Sequence, residues 1–244
     1  MALALSNLTA NSSLSNPEST ALVEPTGGAV LYVAVAVACT AGDGPYNSLV
    51  VGGLGGTWTN LAFQDYAARR AIWVFRGTGV SGSGAVTIEY TGAGTFQQMA
   101  WAVDQVTGQN TTTPNDVAVI GSSATTSLAL TDVGVPDTGD AIYAAFAFEA
   151  TADSFALGAA FTALGSVDVG AGGNIRQLKS GYDATAPLDE TPDCSWTTSG
   201  NGAGGIGFII NVAAAGGPTQ ETLPATEGAG ADCSRLVKAY RQLT

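Results

Sequence analysis

The 244-residue chain is long enough for one large all-β domain or two small ones. Only 11% of it is charged, which excludes a fold surfaced by Lys- and Glu-rich helices, and 45% is hydrophobic, which excludes a disordered chain. With a net charge of −12 and no lysine or arginine before Arg69, nucleic acid and anionic membrane surfaces are not expected partners.

Residues 1–26, "MALALSNLTANSSLSNPESTALVEPT", are polar with scattered apolar side chains and suit an arm or an edge strand. They lack the basic n-region of a secretory leader, so synthesis in a cytoplasm is expected. From Gly27 to Ala215, short runs rich in Val, Ile, Thr and aromatics alternate with Gly, Asn, Asp, Ser and Pro, the signature of strands and turns. "GAVLYVAVAVACT", "SLVV", "TWTNLAF", "RRAIWVFRG", "AVTIEYT" and "QQMAWAVDQV" are the strands of the first half. "DVAVI", "TTSLALT", "DAIYAAFAFEA", "AAFTALGSVDV", "NIRQLKSGYD", "CSWTTS" and "GIGFIINVAAA" follow in the second. The longest apolar run, "GAVLYVAVAVAC", is shorter than the roughly 20 residues of a membrane-spanning helix. The pattern predicts an antiparallel β-sandwich over residues 27–215.

Two of these strands echo each other at an offset of 111 residues. Leu31, Val35 and Val37 fall on Ile142, Phe146 and Phe148, while Tyr32, Ala34 and Ala36 fall on Tyr143, Ala145 and Ala147. A period of two puts large residues on one face and tyrosine with small residues on the other. Two equivalent strands are expected, one in each sheet, with their large faces turned to a shared core.

Residues 216–244 read differently. A Pro/Gly/Thr-rich linker leads to "CSRLVKAYRQLT", where Leu236, Tyr240 and Leu243 recur at helical spacing and Arg235, Lys238 and Arg241 lie between them. A short amphipathic helix acting as a docking arm is predicted here.

The chain has no histidine, which removes Ser–His–Asp and Cys–His catalysis and histidine-based metal sites. Cys39, Cys194 and Cys233 are too few and too widely spaced for a disulfide framework or a zinc site, and are expected as buried small hydrophobes. "GNGAGG", residues 200–205, matches a dinucleotide-binding pattern, but the following "IGFIINVAAA" is a strand where that mechanism needs a helix N-terminus. The glycines read instead as a hairpin loop. Glu89 and Glu149 are expected on exposed strand faces. No cofactor is expected, with calcium held by loop oxygens near "AGDG" or "VPDTGD" left open.

The densest aromatic and basic stretch is "GGTWTNLAFQDYAARRAIWVFRG", residues 55–77. In "RRAIWVFR" Ile72 and Val74 share one face, and Ala71, Trp73 and Phe75 the other. One face should meet the core, and the other a loop, another subunit or a ligand. Trp58 and Trp73 sit in regular strands and are expected in the core. The connecting loop offers Asp65, Tyr66, Arg69 and Arg70 together, and with Trp58 forms the candidate ligand-binding site.

The succession of Gly55, Gly56, Trp58 and Thr59, then Ile72 and Trp73, then a Gly-Ser turn into Val86, Thr87 and Ile88 resembles a β-sandwich module of tailed-bacteriophage virion proteins. The preceding "GAVLYVAVAV", the following "AWAVDQVTG" and the later "GDAIYAAFAF" fit the same module, over roughly residues 20–215. The resemblance implies a jelly-roll-like sandwich displayed on a virion surface after assembly in the host cytoplasm, as a head decoration, head spike or tail component without enzymatic activity. Its partners would be capsid or tail proteins and further copies of itself, with a trimer favoured. A carbohydrate-binding module or host-surface adhesin, taking a host glycan on its aromatic rings, is the alternative.

Overall fold

A computed structural model describes residues 2–39, 48–149, 155–168, 177–197 and 202–214. These belong to one compact unit, Met1–Ala214, and contain no helix. The predicted linker and helix, with Arg235, Leu236, Lys238, Tyr240, Arg241 and Leu243, lie outside the described residues.

Sixteen antiparallel strands are described, eight in each half of the unit. The first eight are β1 (Ala4–Ser13), β2 (Glu18–Ser19), β3 (Val30–Cys39), β4 (Leu49–Gly53), β5 (Thr57–Ala67), β6 (Arg70–Thr78), β7 (Val86–Tyr90) and β8 (Phe96–Thr107). The second eight are β9 (Val119–Ser123), β10 (Ser127–Ala129), β11 (Ala141–Phe148), β12 (Ala156–Leu157), β13 (Thr162–Asp168), β14 (Gln177–Asp183), β15 (Asp193–Ser195) and β16 (Ala203–Ile210). In the first half a large sheet runs β1-β8-β3-β6-β5 and a small one β2-β7-β4. Adding eight to each label reproduces the second half, with a large sheet β9-β16-β11-β14-β13 and a small sheet β10-β15-β12. The chain is therefore two jelly-roll sandwiches in tandem.

The four sheets form four layers, small–large–large–small, with three apolar seams. Leu31, Val33, Val35 and Val37 of β3 join Trp73, Trp101, Val86 and Ile88 in the core of the first half. Ile142, Ala144, Phe146 and Phe148 of β11 join Leu128, Phe155, Cys194 and Trp196 in the core of the second. Between the large sheets lies a third seam, where Tyr32, Ala34, Ala36, Ile72 and Val74 meet Tyr143, Ala145, Ala147, Ile206 and Phe208.

The echo between β3 and β11 does mark the central strands of two facing sheets, but the expected orientation is reversed. Their large faces point away from each other into separate cores, and the small faces meet. The small sheets are short, so filling the space beneath them takes Val, Ile, Phe and Trp. In the joint between the broad sheets, β3, β8 and β11 offer alanines, and Ile72 and Val74 of β6 and Ile206 and Phe208 of β16 fill the space over them. A Cβ on Gly165 of β13 would stand 2.5 Å from the Ala102 Cβ of β8.

This seam has a pseudo-twofold arrangement. β1 lies against β13 and β5 against β9, while β8 lies against β14 and β6 against β16; each contact has its symmetry mate. Tyr32 and its equivalent Tyr143 meet with ring centroids 5.5 Å apart. Phe208 packs on both, at 5.0 Å from Tyr32 and 5.1 Å from Tyr143. The register places Asp104 opposite Tyr32 and Phe208 opposite Tyr143, so Asp104 and Phe208 are equivalent positions with opposite chemistry.

The predicted hairpin at "GNGAGG" is not one. The flanking β15 and β16 belong to different sheets, so this connection crosses between layers.

Because Ala34 is fully buried in the seam between the halves, Ala34→Leu overpacks it and is expected to cost about 1–3 kcal/mol. Val50→Leu, at a position 54% exposed on β4, should stay within about 0.5 kcal/mol of the parent. Urea denaturation midpoints of the two variants check both values.

Candidate functional site

Strands β5 and β6 pair as a long hairpin turning at Ala68 and Arg69, the latter with φ of 66°. Trp58 and Tyr66 stand eight residues apart on β5, roughly 26 Å at the usual strand rise. The five predicted ligand residues therefore do not form one site. Trp58 lies at the far end of the hairpin, half-buried, with its ring over Gly77 and its Nε1 donating to the Gly53 carbonyl at 3.1 Å. A Cβ at Gly77 would come within 2.7 Å of that ring, so the glycine makes its bed.

The other four residues lie near the turn, where the first half reaches over the second. Tyr66 is 7% exposed and packs on Gly204 of β16, where an added Cβ would meet its ring at 2.7 Å. Arg70 Nη1 stands 3.0 Å from Glu149 Oε1, just after β11. Glu149 is thus half-buried in an ion pair, unlike the exposed strand position expected of it. Glu89 does lie exposed on β7. The Arg69 carbonyl accepts from Cys39 N at 3.0 Å, while Asp65 stands exposed. Partial burial raises the Asp65 pKa above the ordinary carboxylate value. Tyr66 and Arg70 bind this end of the hairpin to the second jelly roll.

The faces of β6 separate as the alternation demands. Ala71, Trp73 and Phe75 enter the first-half core, with Trp73 packed on Phe63 at 5.2 Å. Ile72 and Val74 enter the central seam. The second face thus meets the other half of the same chain. Trp73, Trp101 and Trp196 are buried and Trp58 is half-buried, so none of the four tryptophans is exposed. No described tyrosine or phenylalanine is exposed either.

A polar groove of about 390 Å³ lies where the connection between the halves passes the end of β16. Asn110, Thr113 and Asp116 line it from the connection, Asp137 and Asp140 from the loop before β11, and Asn211 from the chain after β16. A second hollow of about 310 Å³ shares Asp137 and Asp140 and reaches Glu190. Most of these polar groups hold the loops in place. Asp140 accepts from Asp137 N through Oδ2 and from Val212 N through Oδ1, both at 2.8 Å. Asn211 Nδ2 donates to the Thr113 carbonyl at 2.9 Å and to Asp116 Oδ1 at 2.8 Å. In "VPDTGD", the loop proposed for calcium, Asp140 thus serves backbone amides. Among the described residues no three His, Cys, Asp or Glu side chains gather as a metal site. "AGDG" lies outside the described residues.

Cys39 and Cys194 are buried, and burial pushes both thiols above their ordinary pKa, the reverse of an activated thiolate. Cys233 lies outside the described residues. Sequence reasoning missed the groove and, above all, Asp104. The signal for Asp104 was a single carboxylate in "AWAVDQV", on the face that otherwise carries Ala100, Ala102 and Val106.

No protein-family model, curated protein or solved structure matches the chain.

Tyr66→Ala removes a buried ring from the joint and is expected to cost about 2–4 kcal/mol, close to other aromatic truncations. Asp65→Ala, two strand positions from the turn's buried side, should change stability by no more than about 0.5 kcal/mol. Thermal unfolding of both variants distinguishes a structural joint from a solvent-facing ligand loop.

Proposed function

We propose that the chain is a non-enzymatic structural protein of a phage particle, displayed on the head or tail surface and attached through its C-terminal segment. The observation that carries the reading is the tandem jelly roll, an architecture recurrent in capsid and lectin domains. The two halves pack their broad sheets against each other in one compact unit. The sequence resemblance over residues 20–215 adds the virion context. The segment 216–244 carries Arg235, Lys238 and Arg241, three of the eight basic residues of an acidic chain. The proposed partners are capsid or tail proteins and further copies of the chain, met inside the host cytoplasm during assembly.

A glycan-binding role on stacked aromatic rings is the weaker reading, because every described tryptophan, tyrosine and phenylalanine is buried or half-buried.

Light scattering on the full chain and on a chain ending at Ala215 tests the proposal. The full chain is expected to be a defined oligomer and the shortened chain a folded monomer. If both are folded monomers and neither binds capsids, attachment through the C-terminal segment is wrong.

A further inference from the structure

We infer that the joint between the two jelly rolls is proton-sensitive: Asp104 at its centre makes the contact tightest when its carboxyl is protonated and looser once it ionises.

Asp104 is fully buried on the inward face of β8, between the two large sheets. Its Oδ2 accepts from the Tyr143 hydroxyl of β11, across the joint, at 2.9 Å. Its Oδ1 accepts from Asn7 Nδ2 of β1 at 2.8 Å. The Ser180 hydroxyl of β14, which accepts from Gly165 N at 2.9 Å, lies beside the same carboxyl. Tyr32 of β3 is its register partner, and Phe208 of β16 packs on both tyrosines. β13 contributes Gly165, which has no side chain to offer. The titratable groups around Asp104 are therefore two tyrosines. Two cations border the seam without a hydrogen bond to Asp104: Arg76 of β6, the register partner of Tyr32 on its other side, donates to Asn115 at 2.9 Å, and Arg70 pairs with Glu149.

An ionised carboxylate in this position has hydrogen bonds but no counter-ion. Burial raises the pKa of Asp104, while the hydrogen bonds from Ser180, Asn7 and Tyr143 pull the other way. Burial likewise raises Tyr143, helped by the Asp104 charge, so its hydroxyl keeps its proton and remains a donor. A carboxyl that holds its proton more tightly when folded contributes its full stability below its unfolded pKa of about 3.9. That contribution is lost as pH rises through the folded value. Because the carboxyl bridges the halves, the loss falls on the joint.

The test compares urea unfolding of the full-length parent and Asp104→Asn between pH 4 and 9. Asparagine keeps the shape without the charge. The folding constant of the parent, divided by that of Asp104→Asn, should fall up to about tenfold per pH unit from about pH 4 and then level off. A ratio that stays constant over the whole range overturns the proposal. Should Asp104→Asn fail to fold, Tyr143→Phe removes one donor to the carboxylate and should move the levelling to higher pH. An unchanged profile in that variant overturns the proposal equally. Amide exchange on β3 and β11 reads the joint directly. After correction for intrinsic rates, it should quicken with pH in the parent and not in Asp104→Asn. Asp65→Asn and Asp193→Asn, whose carboxyls burial also shifts upward, should remove only their own share of the pH dependence; in each background the fall in the folding-constant ratio with and without Asp104→Asn should persist, and its loss in either one also overturns the proposal.

Discussion

The closure of two five-stranded sheets on each other, alanines of β3, β8 and β11 against larger side chains of β6 and β16, is the contact on which the rest of the molecule depends. The central strands of a sheet in the middle of four layers, such as β3, β11 and β16, have no solvent face and so cannot alternate apolar with polar residues. They alternate large with small instead. In β3 the large set, Leu31, Val33, Val35 and Val37, fills one core, and the alternate set, Tyr32, Ala34, Ala36 and Ala38, meets the other half. This requirement accounts for much of the unusual composition. Two broad sheets that bury both faces consume alanine, valine and glycine and leave little room for charge.

The tandem arrangement has a consequence that a symmetric pair of separate chains would not allow. In a true two-fold dimer each seam residue occurs twice, and a carboxylate at the Asp104 position would face its own copy's surroundings on both sides of the axis. Two buried carboxyls in one apolar seam disfavour each other's ionisation. With both halves in one chain the equivalent position carries Phe208, which packs on Tyr32 and Tyr143. One half supplies the acceptor and the other the apolar cover. The joint is thus built from equivalent strands with divided roles.

Much of the strand content was legible because turn residues punctuate it. "VTIEY" reads plainly, since β7 has Val86, Ile88 and Tyr90 buried and Thr87 and Glu89 exposed. The very short β2 and β12 carry too few residues for any periodicity, and β1 was readable only as an arm or edge strand. The direction of β3 and β11 was misread for a physical reason. Large residues ordinarily mark the main core, but here each strand serves two cores and size cannot say which is shared. The surroundings of the candidate ligand loop were hidden on similar grounds. Tyr66 and Arg70 look free in a polar turn, and only the fold brings Gly204 and Glu149 to meet them. Asp104 was visible as a lone acid, yet nothing local reveals that Tyr143, Asn7 and Ser180 converge on it from other strands.

The layering also decides where any partner can bind. With the central strands of both broad sheets buried, the surfaces left are the outer faces of the small sheets, the outer strands β1, β5, β9 and β13 of the broad ones, and the loops at the ends. The exposed large aliphatic side chains lie in these places: Leu14 after β1, Leu22 after β2, Val50 on β4, Ile120 on β9, and Val117 and Val135 in the connections near the polar groove. The low charge of the inner strands, which on sequence alone invites neighbouring copies as cover, is already explained by cover from within the chain. Assembly with other molecules must therefore be argued from the periphery, since the inner faces, where the chain is most apolar, are already taken by its own second half.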